Sequence, residues 1–188
     1  MKHNIRHKQQ DDASQAELMY QFNINLSLAD LNALYKHSGE SGRAAPHDVR
    51  VGLYRHPRSE PHSQLEPYSR SEPRSRSGLF SEQEPHLELA CGARLVRYDN
   101  DWLLRNLCTL PEERGQGLAS RLLQELRTLP PYQPLLTLPL PHLEPFYLRN
   151  GFSAVDETGL SSSLQQLLRQ CRRRNKGIRA MVSDASLR

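Results

Sequence analysis

The chain has 188 residues, of which 37% are hydrophobic and 13 are Pro, and its formal net charge is +4. The length suits one domain, and a pI near 9.1 permits anionic ligands without requiring nucleic acid. No apolar run approaches the roughly 18 residues of a membrane helix, and residues 1–17 hold no apolar stretch. We therefore expect neither a membrane span nor a signal peptide.

Two segments hold most of the polar surplus. We predict that residues 1–17 form a disordered tail and that residues 18–188 form a single domain, which a disordered insert interrupts at 56–86. The insert repeats a hexapeptide that contains Glu-Pro, at positions 60–61, 66–67 and 72–73. Because the recurring residues are not aliphatic, they cannot stack inside a β-helix, and the pattern favours a mobile loop.

Hydrophobic patterns predict the elements between and after these segments. In chain order we predict a strand at 22–26, a helix that Ser27 caps and that ends near Gly39, strands at 49–54, 87–98 and 102–110, a helix at 115–129, a strand at 135–138, a helix at 145–150, a strand at 152–155, a helix at 161–174 and a strand at 178–182. A turn at 99–101 joins two of the strands, and the strand at 102–110 is apolar on both faces, which is typical of a central strand. The order predicts an α/β (α+β) fold with one layer of sheet and helices packed on it.

The cysteines and histidines indicate no cofactor site. Cys91, Cys108 and Cys171 are an odd, widely spaced set without a CxxC pair, and we interpret them as reduced thiols of a cytoplasmic protein. The eight His are scattered, so we expect no metal.

The stretch between the predicted central strand and the next helix points to an anion. It reads Glu112-Glu113-Arg114-Gly115-Gln116-Gly117-Leu118-Ala119, and no Asp, Ser or Thr within 114–119 can cap the helix. Unpaired amides at the positive end of a helix dipole bind phosphate, and two glycines let a ligand approach closely. The Gly-Lys-Ser/Thr of a Walker loop and the third glycine of a dinucleotide fingerprint are both missing. The alternative is that the glycines only form a tight turn.

A second motif follows about thirty residues later and reads Phe146-Tyr147-Leu148-Arg149-Asn150-Gly151-Phe152. Together the two motifs resemble the GNAT superfamily of N-acetyltransferases. Arg114, Gly117 and Ala119 take the defining places of its R/Q-x-x-G-x-G/A loop, and the second motif matches its F-Y-x-x-x-G-F signature. The resemblance covers about residues 49–155 without the insert.

The resemblance implies a GNAT-type mixed sheet of about six to seven strands, flanked by helices and splayed at its two central strands. It implies that acetyl-CoA is the co-substrate and that main-chain hydrogen bonds to Leu107, Cys108 and Thr109 hold the pantetheine, with a backbone N–H there polarising the thioester carbonyl. The CoA pyrophosphate would lie on the backbone of Arg114, Gly115, Gln116, Gly117, Leu118, Ala119 and Ser120. Tyr147 matches the family's acid, which protonates the departing thiolate; alternatively it is only a core aromatic residue.

Several assignments stay open in the sequence. The strand at 102–110 contains no carboxylate for a general base, and the alternatives are Glu88, His142, Glu144 or a chain of water molecules. Cys108 is either an acyl-accepting nucleophile or inert packing. A basic run contacts RNA or the CoA 3′-phosphate, or it is simply a solvated helix face. Its members are Arg169, Arg172, Arg173, Arg174, Lys176 and Arg179.

We predict an N-acetyltransferase in which an amine attacks acetyl-CoA directly. The partners would be acetyl-CoA and a primary amine, without a membrane, and the sequence does not fix the oligomeric state. One alternative is a non-catalytic acyl-CoA-binding regulatory module with the same fold, and another is an acetyltransferase directed to RNA.

Overall fold

A computed structural model describes residues 19–56 and 87–183, so the tail predicted at 1–17 and the insert predicted at 56–86, apart from its first residue, lie outside the described residues. The strands are β1 (Tyr20–Ile24), β2 (Val49–Arg55), β3 (Glu88–Tyr98), β4 (Asp101–Thr109), β5 (Leu135–Thr137), β6 (Phe152–Ala154) and β7 (Met181–Ser183). The α-helices are α1 (Leu28–His37), α2 (Leu118–Arg127), α3 (Glu144–Arg149) and α4 (Ser162–Arg174). No described helix is long and apolar enough to cross a membrane.

The strands form one mixed sheet in the order β1-β2-β3-β4-β5-β7-β6. Its seven strands and flanking helices confirm the predicted α/β (α+β) class. β4 is central as predicted, and it pairs antiparallel with β3 and parallel with β5. All other pairings in the sheet are antiparallel.

Successive strand residues point to opposite sides of the sheet, and apolar residues lie on both sides. Helices therefore cover both faces. On one face α1 packs over β3, and α4 packs over Leu103 and Leu136. On the other face α2 packs over Val51, Leu95 and Leu104, and Tyr147 of α3 joins the same cluster. We call these the α1/α4 face and the α2/α3 face.

The boundaries of several elements differ from the predicted ones. The helix predicted at 115–129 begins only at Leu118, because Gly115 and Gly117 have φ of 80° and 78° and cannot be helical. β1 ends at Ile24 rather than residue 26, because Asn25 takes a φ of 60° and turns the chain out of the sheet. The last strand begins at Met181 rather than residue 178, where pairing with β5 starts.

β4 and β5 separate after a short stretch of pairing. Trp102, Leu103 and Leu104 pair with residues 135–137, and the pairing ends there. Two residues further, β4 carries a β-bulge, in which Asn106 and Leu107 lie opposite the single residue Ala93, and Asn106 has a φ of 54°. The predicted splay of the two central strands is confirmed, and it opens a cavity between them.

Candidate active site

The splay leaves a cavity of about 480 Å³, which we call the central cavity. This volume lies within the range of small-molecule sites. The cavity is lined by residues from both halves of the chain. They include Glu40, Gly42, Arg94, Arg105, Asn106, Leu107, Thr137 and Tyr147.

The glycine loop at the start of α2 presents free backbone amides. Among the described residues, the amides of 115–120 donate no intramolecular hydrogen bond, and Gly117 at the N-cap position supplies no side chain. A Cβ at Gly115 or Gly117 would meet nothing within 4 Å, so the space above the loop is open. The residues present therefore fit a phosphate group, which such amides and the helix dipole stabilise.

Glu113 fixes this loop from below. Its side chain is only 2% exposed and pairs with Arg55. The Tyr20 hydroxyl donates to Glu113 Oε2 at 2.7 Å, and Gln116 Nε2 donates to the same oxygen at 2.8 Å. Sequence reasoning missed this anchor. The Gln116 side chain turns towards Glu113, and the Gln116 backbone amide stays free for a ligand.

Arg114 is exposed, and its guanidinium turns back towards β4 and α1. Its Nε and Nη2 donate to the carbonyl oxygens of Thr109 and Ser38 over 3.4 and 3.3 Å. Both distances are long for hydrogen bonds, so the guanidinium is only weakly held. The side chain thus keeps its charge in solvent next to the glycine loop.

Leu107, Cys108 and Thr109 lie on the part of β4 beyond the last β4–β5 pair, where the described residues provide no partner strand on the β5 side, although Cys108 and Thr109 still pair with β3 on the other side. Leu107 lines the central cavity. Cys108 packs against the α1 cluster, and Thr109 donates to Cys91 Sγ at 3.3 Å. Burial raises the pKa of the Cys108 thiol to about 11, so the thiol stays protonated at neutral pH. This protonation favours inert packing over an acyl-accepting nucleophile.

Tyr147 reaches the central cavity from α3 and is only 7% exposed. The two phenylalanines of its motif make edge-to-face contacts with its ring, with centroids 5.2 Å away for Phe146 and 5.3 Å away for Phe152. Burial raises the pKa of Tyr147 to about 12, although a hydrogen bond with the Thr137 side chain lowers it in part. The hydroxyl is therefore a proton donor throughout the physiological range.

Glu40 supplies the carboxylate that sequence reasoning did not find. It lies between α1 and β2, where its Oε1 accepts from Asn106 Nδ2 at 2.9 Å and from the Gly42 amide at 3.3 Å. A Cβ at Gly42 would lie 2.0 Å from Asn106 Nδ2, so only glycine allows this approach. Glu40 Oε2 accepts no hydrogen bond from another described residue, which leaves it available in the central cavity.

Two charged residues hold the Asn106 amide in place. Arg94 Nε donates to Asn106 Oδ1 at 2.9 Å, and Arg94 Nη1 donates to Asp48 Oδ2 at 2.9 Å. Asp48 is buried and also accepts from the Ala45 amide at 2.7 Å. The contacts therefore run from Asp48 through Arg94 and Asn106 to Glu40. They fix the Glu40 carboxylate through Oε1 and leave Oε2 free of them.

The bases proposed from sequence lie elsewhere. Glu88 is exposed and pairs with Arg55, His142 is exposed, and Glu144 lies 3.8 Å from Arg179 Nη1. None of the three lines the central cavity. Within residues 19–56 and 87–183, no group of three or more His, Cys, Asp or Glu side chains could hold a metal ion.

The chain resembles known proteins in the region that holds both motifs. Residues 82–154 match the family model of the acetyltransferase (GNAT) domain. The GNAT resemblance is confirmed. None of the curated protein sequences matches this chain significantly.

Solved structures share the GNAT fold with this chain at low identity. N-acetylglutamate synthase from Neisseria gonorrhoeae, complexed with coenzyme A and L-arginine, aligns with a TM-score of 0.54 and 12% identity over 89% of this chain. The alignment spans only 34% of the synthase, so this chain corresponds to about a third of that protein. A GNAT-family acetyltransferase from Staphylococcus aureus Mu50 aligns with a TM-score of 0.51 and 11% identity, over 88% of this chain and 100% of the other. These similarities support the GNAT fold, and the family-model match supports acetyl transfer in general.

Proposed function

We propose that this GNAT domain transfers an acetyl group from acetyl-CoA to a primary amine by direct attack. The observation that carries the proposal is that the Glu40 carboxylate and the Tyr147 hydroxyl line one cavity at the splay of β4 and β5. One group can accept a proton and the other can donate one, as direct transfer requires.

The donor would lie along β4 and the glycine loop. We propose that the free amides of residues 115–120 hold its pyrophosphate, with Arg114 adding positive charge, and that the free edge of β4 at residues 107–109 holds the pantetheine. Acetyl-CoA supplies the acetyl group as a thioester when bound. A backbone N–H on the same edge can stabilise negative charge on the carbonyl oxygen.

Glu40 would act on the acceptor. A primary amine is mostly protonated at neutral pH, and the carboxylate attracts the ammonium into the cavity. Glu40 Oε2 first takes one proton from the ammonium, directly or through one water molecule, which frees the nitrogen lone pair to attack the thioester carbonyl. After that proton passes to solvent, Glu40 takes the second proton from the nitrogen of the tetrahedral intermediate as the C–S bond breaks, and passes it to solvent in turn. Because Asn106 and Gly42 hold Oε1, the carboxylate reaches this position without a change of rotamer.

Tyr147 would act on the leaving group. As the C–S bond breaks, its hydroxyl donates a proton to the departing thiolate, and solvent returns the proton to Tyr147. The raised pKa keeps the hydroxyl protonated until it is needed, and the flanking phenylalanines fix the ring. A non-catalytic acyl-CoA-binding module would have no need of a carboxylate held in this way, which favours the enzyme over the module.

The test is an assay of free-thiol release with acetyl-CoA and a panel of primary amines, with mass spectrometry of the acetylated product. We expect one acetylated amine for each thiol released, above the hydrolysis measured without amine. Tight CoA binding in calorimetry, together with no acetylated product from any amine, would support the regulatory module instead.

A further inference from the structure

A second cleft of about 420 Å³ opens beside the central cavity. The two share Arg105 and Cys171, so they meet at these side chains. The cleft lies on the α1/α4 face, between β4 and the last turns of α4. Its lining residues are Arg105, Leu167, Gln170, Cys171, Arg173 and Arg174.

The cleft carries positive charge that no acidic side chain balances. Arg105, Arg173 and Arg174 form no ion pair or hydrogen bond with another described residue, and the lining contains no Asp or Glu. Their neighbour Arg172 differs, because it pairs with Glu157 and donates to the Ile178 carbonyl at 2.9 Å. The helix dipole favours cations at the end of α4 and accounts for Arg173 and Arg174. It does not account for Arg105.

Arg105 lies on the central strand and is half-buried. It is directly opposite Arg94 in the β3–β4 register, and like charges in such a pair destabilise a sheet. Asp48 neutralises Arg94, and within the described residues nothing neutralises Arg105. A half-buried guanidinium without a partner costs free energy, and an anionic ligand removes that cost.

We propose that Arg105, with Arg173 and Arg174, binds an anionic group of the acceptor, an inference that rests on the proposed function. The planar fork of Arg matches carboxylate and phosphate, and Glu40, which lines the adjoining central cavity together with Arg105, attracts the ammonium. The acceptor class is then a small primary amine that also carries a carboxylate or a phosphate. The size of the two joined spaces favours a small molecule over a macromolecule.

The test compares acceptors that differ only in the anion. Acetyl transfer is measured for γ-aminobutyrate against its amide, and for phosphoethanolamine against ethanolamine, which separates carboxylate from phosphate. We expect kcat/KM to be about 10- to 100-fold higher for the anionic member of at least one pair, as one charged hydrogen-bonding contact provides. Equal values within both pairs would overturn the inference while the proposed function stands.

Arg105→Gln is the decisive variant, and Arg169→Gln, an exposed change on α4 outside the cleft, is its control. We expect Arg105→Gln to raise KM for the anionic acceptor about 10-fold or more and to leave KM for its neutral partner and the Kd for CoA unchanged within about twofold. Arg169→Gln should leave all three unchanged. Weaker CoA binding in Arg105→Gln would instead assign the cleft to the CoA 3′-phosphate and overturn the inference.

A binding measurement decides the case in which no amine is acetylated. Calorimetric titration of the CoA-loaded protein with γ-aminobutyrate and phosphoethanolamine should then show binding of at least one that Arg105→Gln abolishes. If neither binds, the anion site fails together with the proposed function. Salt-dependent tRNA binding that Arg105→Gln weakens, with no preference for the anionic amines, would assign the cleft to RNA and also overturn the inference.

Discussion

The two sides of the central cavity are built in different ways. The donor side is one contiguous stretch, in which β4 leads into the glycine loop and then into α2, and it offers mainly backbone groups. The acceptor side is assembled from separate segments around Glu40 and Asn106, and it offers charged side chains. A backbone cradle depends on conformation at a few glycines, whereas a side-chain network depends on tertiary contacts, so the two sides respond to different substitutions.

The largest expected effect comes from a substitution that disrupts only the donor side. Gly117→Asp places a carboxylate where we propose phosphate binds, and like charges in contact cost several kcal/mol, so CoA should bind about 1,000-fold more weakly in calorimetry. Gly117→Asn is the matched control, because Asn has nearly the same shape and the same strain at a φ of 78° without the charge. Equal losses in the two variants would mean that conformation, and not an anion, explains the effect.

The next effect is on the chemical step. Tyr147→Phe keeps the ring that Phe146 and Phe152 contact and removes only the hydroxyl. We expect kcat for acetyl transfer to fall about 100-fold, at the low end of general acid catalysis, with the Kd for CoA unchanged. A kcat within threefold of the parent would assign Tyr147 to the core alone.

A smaller effect tests the acceptor side. Glu40→Gln keeps an oxygen for the Asn106 and Gly42 donors and removes only the charge. We expect kcat/KM for the amine to fall about 10- to 50-fold and CoA binding to stay the same. Glu144→Gln, which removes a carboxylate outside the cavity, should have little effect. If Glu144→Gln gave the larger loss, the base would be Glu144, one of the alternatives that the sequence left open.

The smallest effect concerns Cys108. Because its raised pKa keeps the thiol protonated at neutral pH, Cys108→Ala should retain at least about a third of the activity, and mass spectrometry should find no acetyl group on the parent protein. An acetylated Cys108 peptide that forms and decays during turnover would establish the covalent route.

The buried thiols of Cys91 and Cys108 make the free energy of unfolding depend on pH. Burial raises the pKa of Cys91 to about 12 and of Cys108 to about 11, from 9.0. Between about pH 9 and 11 the unfolded chain loses these protons and the folded chain keeps them, so the free energy of unfolding falls as pH rises. In Cys108→Ala this fall should be shallower by up to about 1.4 kcal/mol per pH unit, which denaturant titrations at several pH values measure. An unchanged slope would contradict burial of the thiol.

The glycine loop and the helix after it were predictable from sequence because their signals are local, whereas the CoA contacts assigned to them stay predictions. The glycines at 115 and 117, the missing cap and the F-Y-x-x-x-G-F motif can all be read within a few residues, although the helix start was misplaced where the glycines take positive φ. The predicted α/β order also held, because each strand carries its own hydrophobic pattern, and the splay held as the GNAT resemblance implied.

The acceptor side could not be predicted because its contacts span long stretches of chain. Glu40 becomes a held carboxylate only through Asn106, which is 66 positions away, and Asp48 reaches Arg94 across 46 positions. Glu113, next to an ordinary proline turn, gives no local sign that Tyr20 will bury it from 93 positions away. The Glu40 network also depends on the β-bulge at Asn106 and on the close contact at Gly42, which the hydrophobic pattern does not encode.

We propose that the donor side and the acceptor side act on one reaction in one cavity. A crystal structure of the CoA complex tests it most directly. We expect the pyrophosphate on the amides of residues 115–120, the CoA thiol within hydrogen-bonding reach of the Tyr147 hydroxyl, and Glu40 facing the thiol across the cavity. A pyrophosphate bound elsewhere, or a thiol that lies away from both Tyr147 and Glu40, would contradict it.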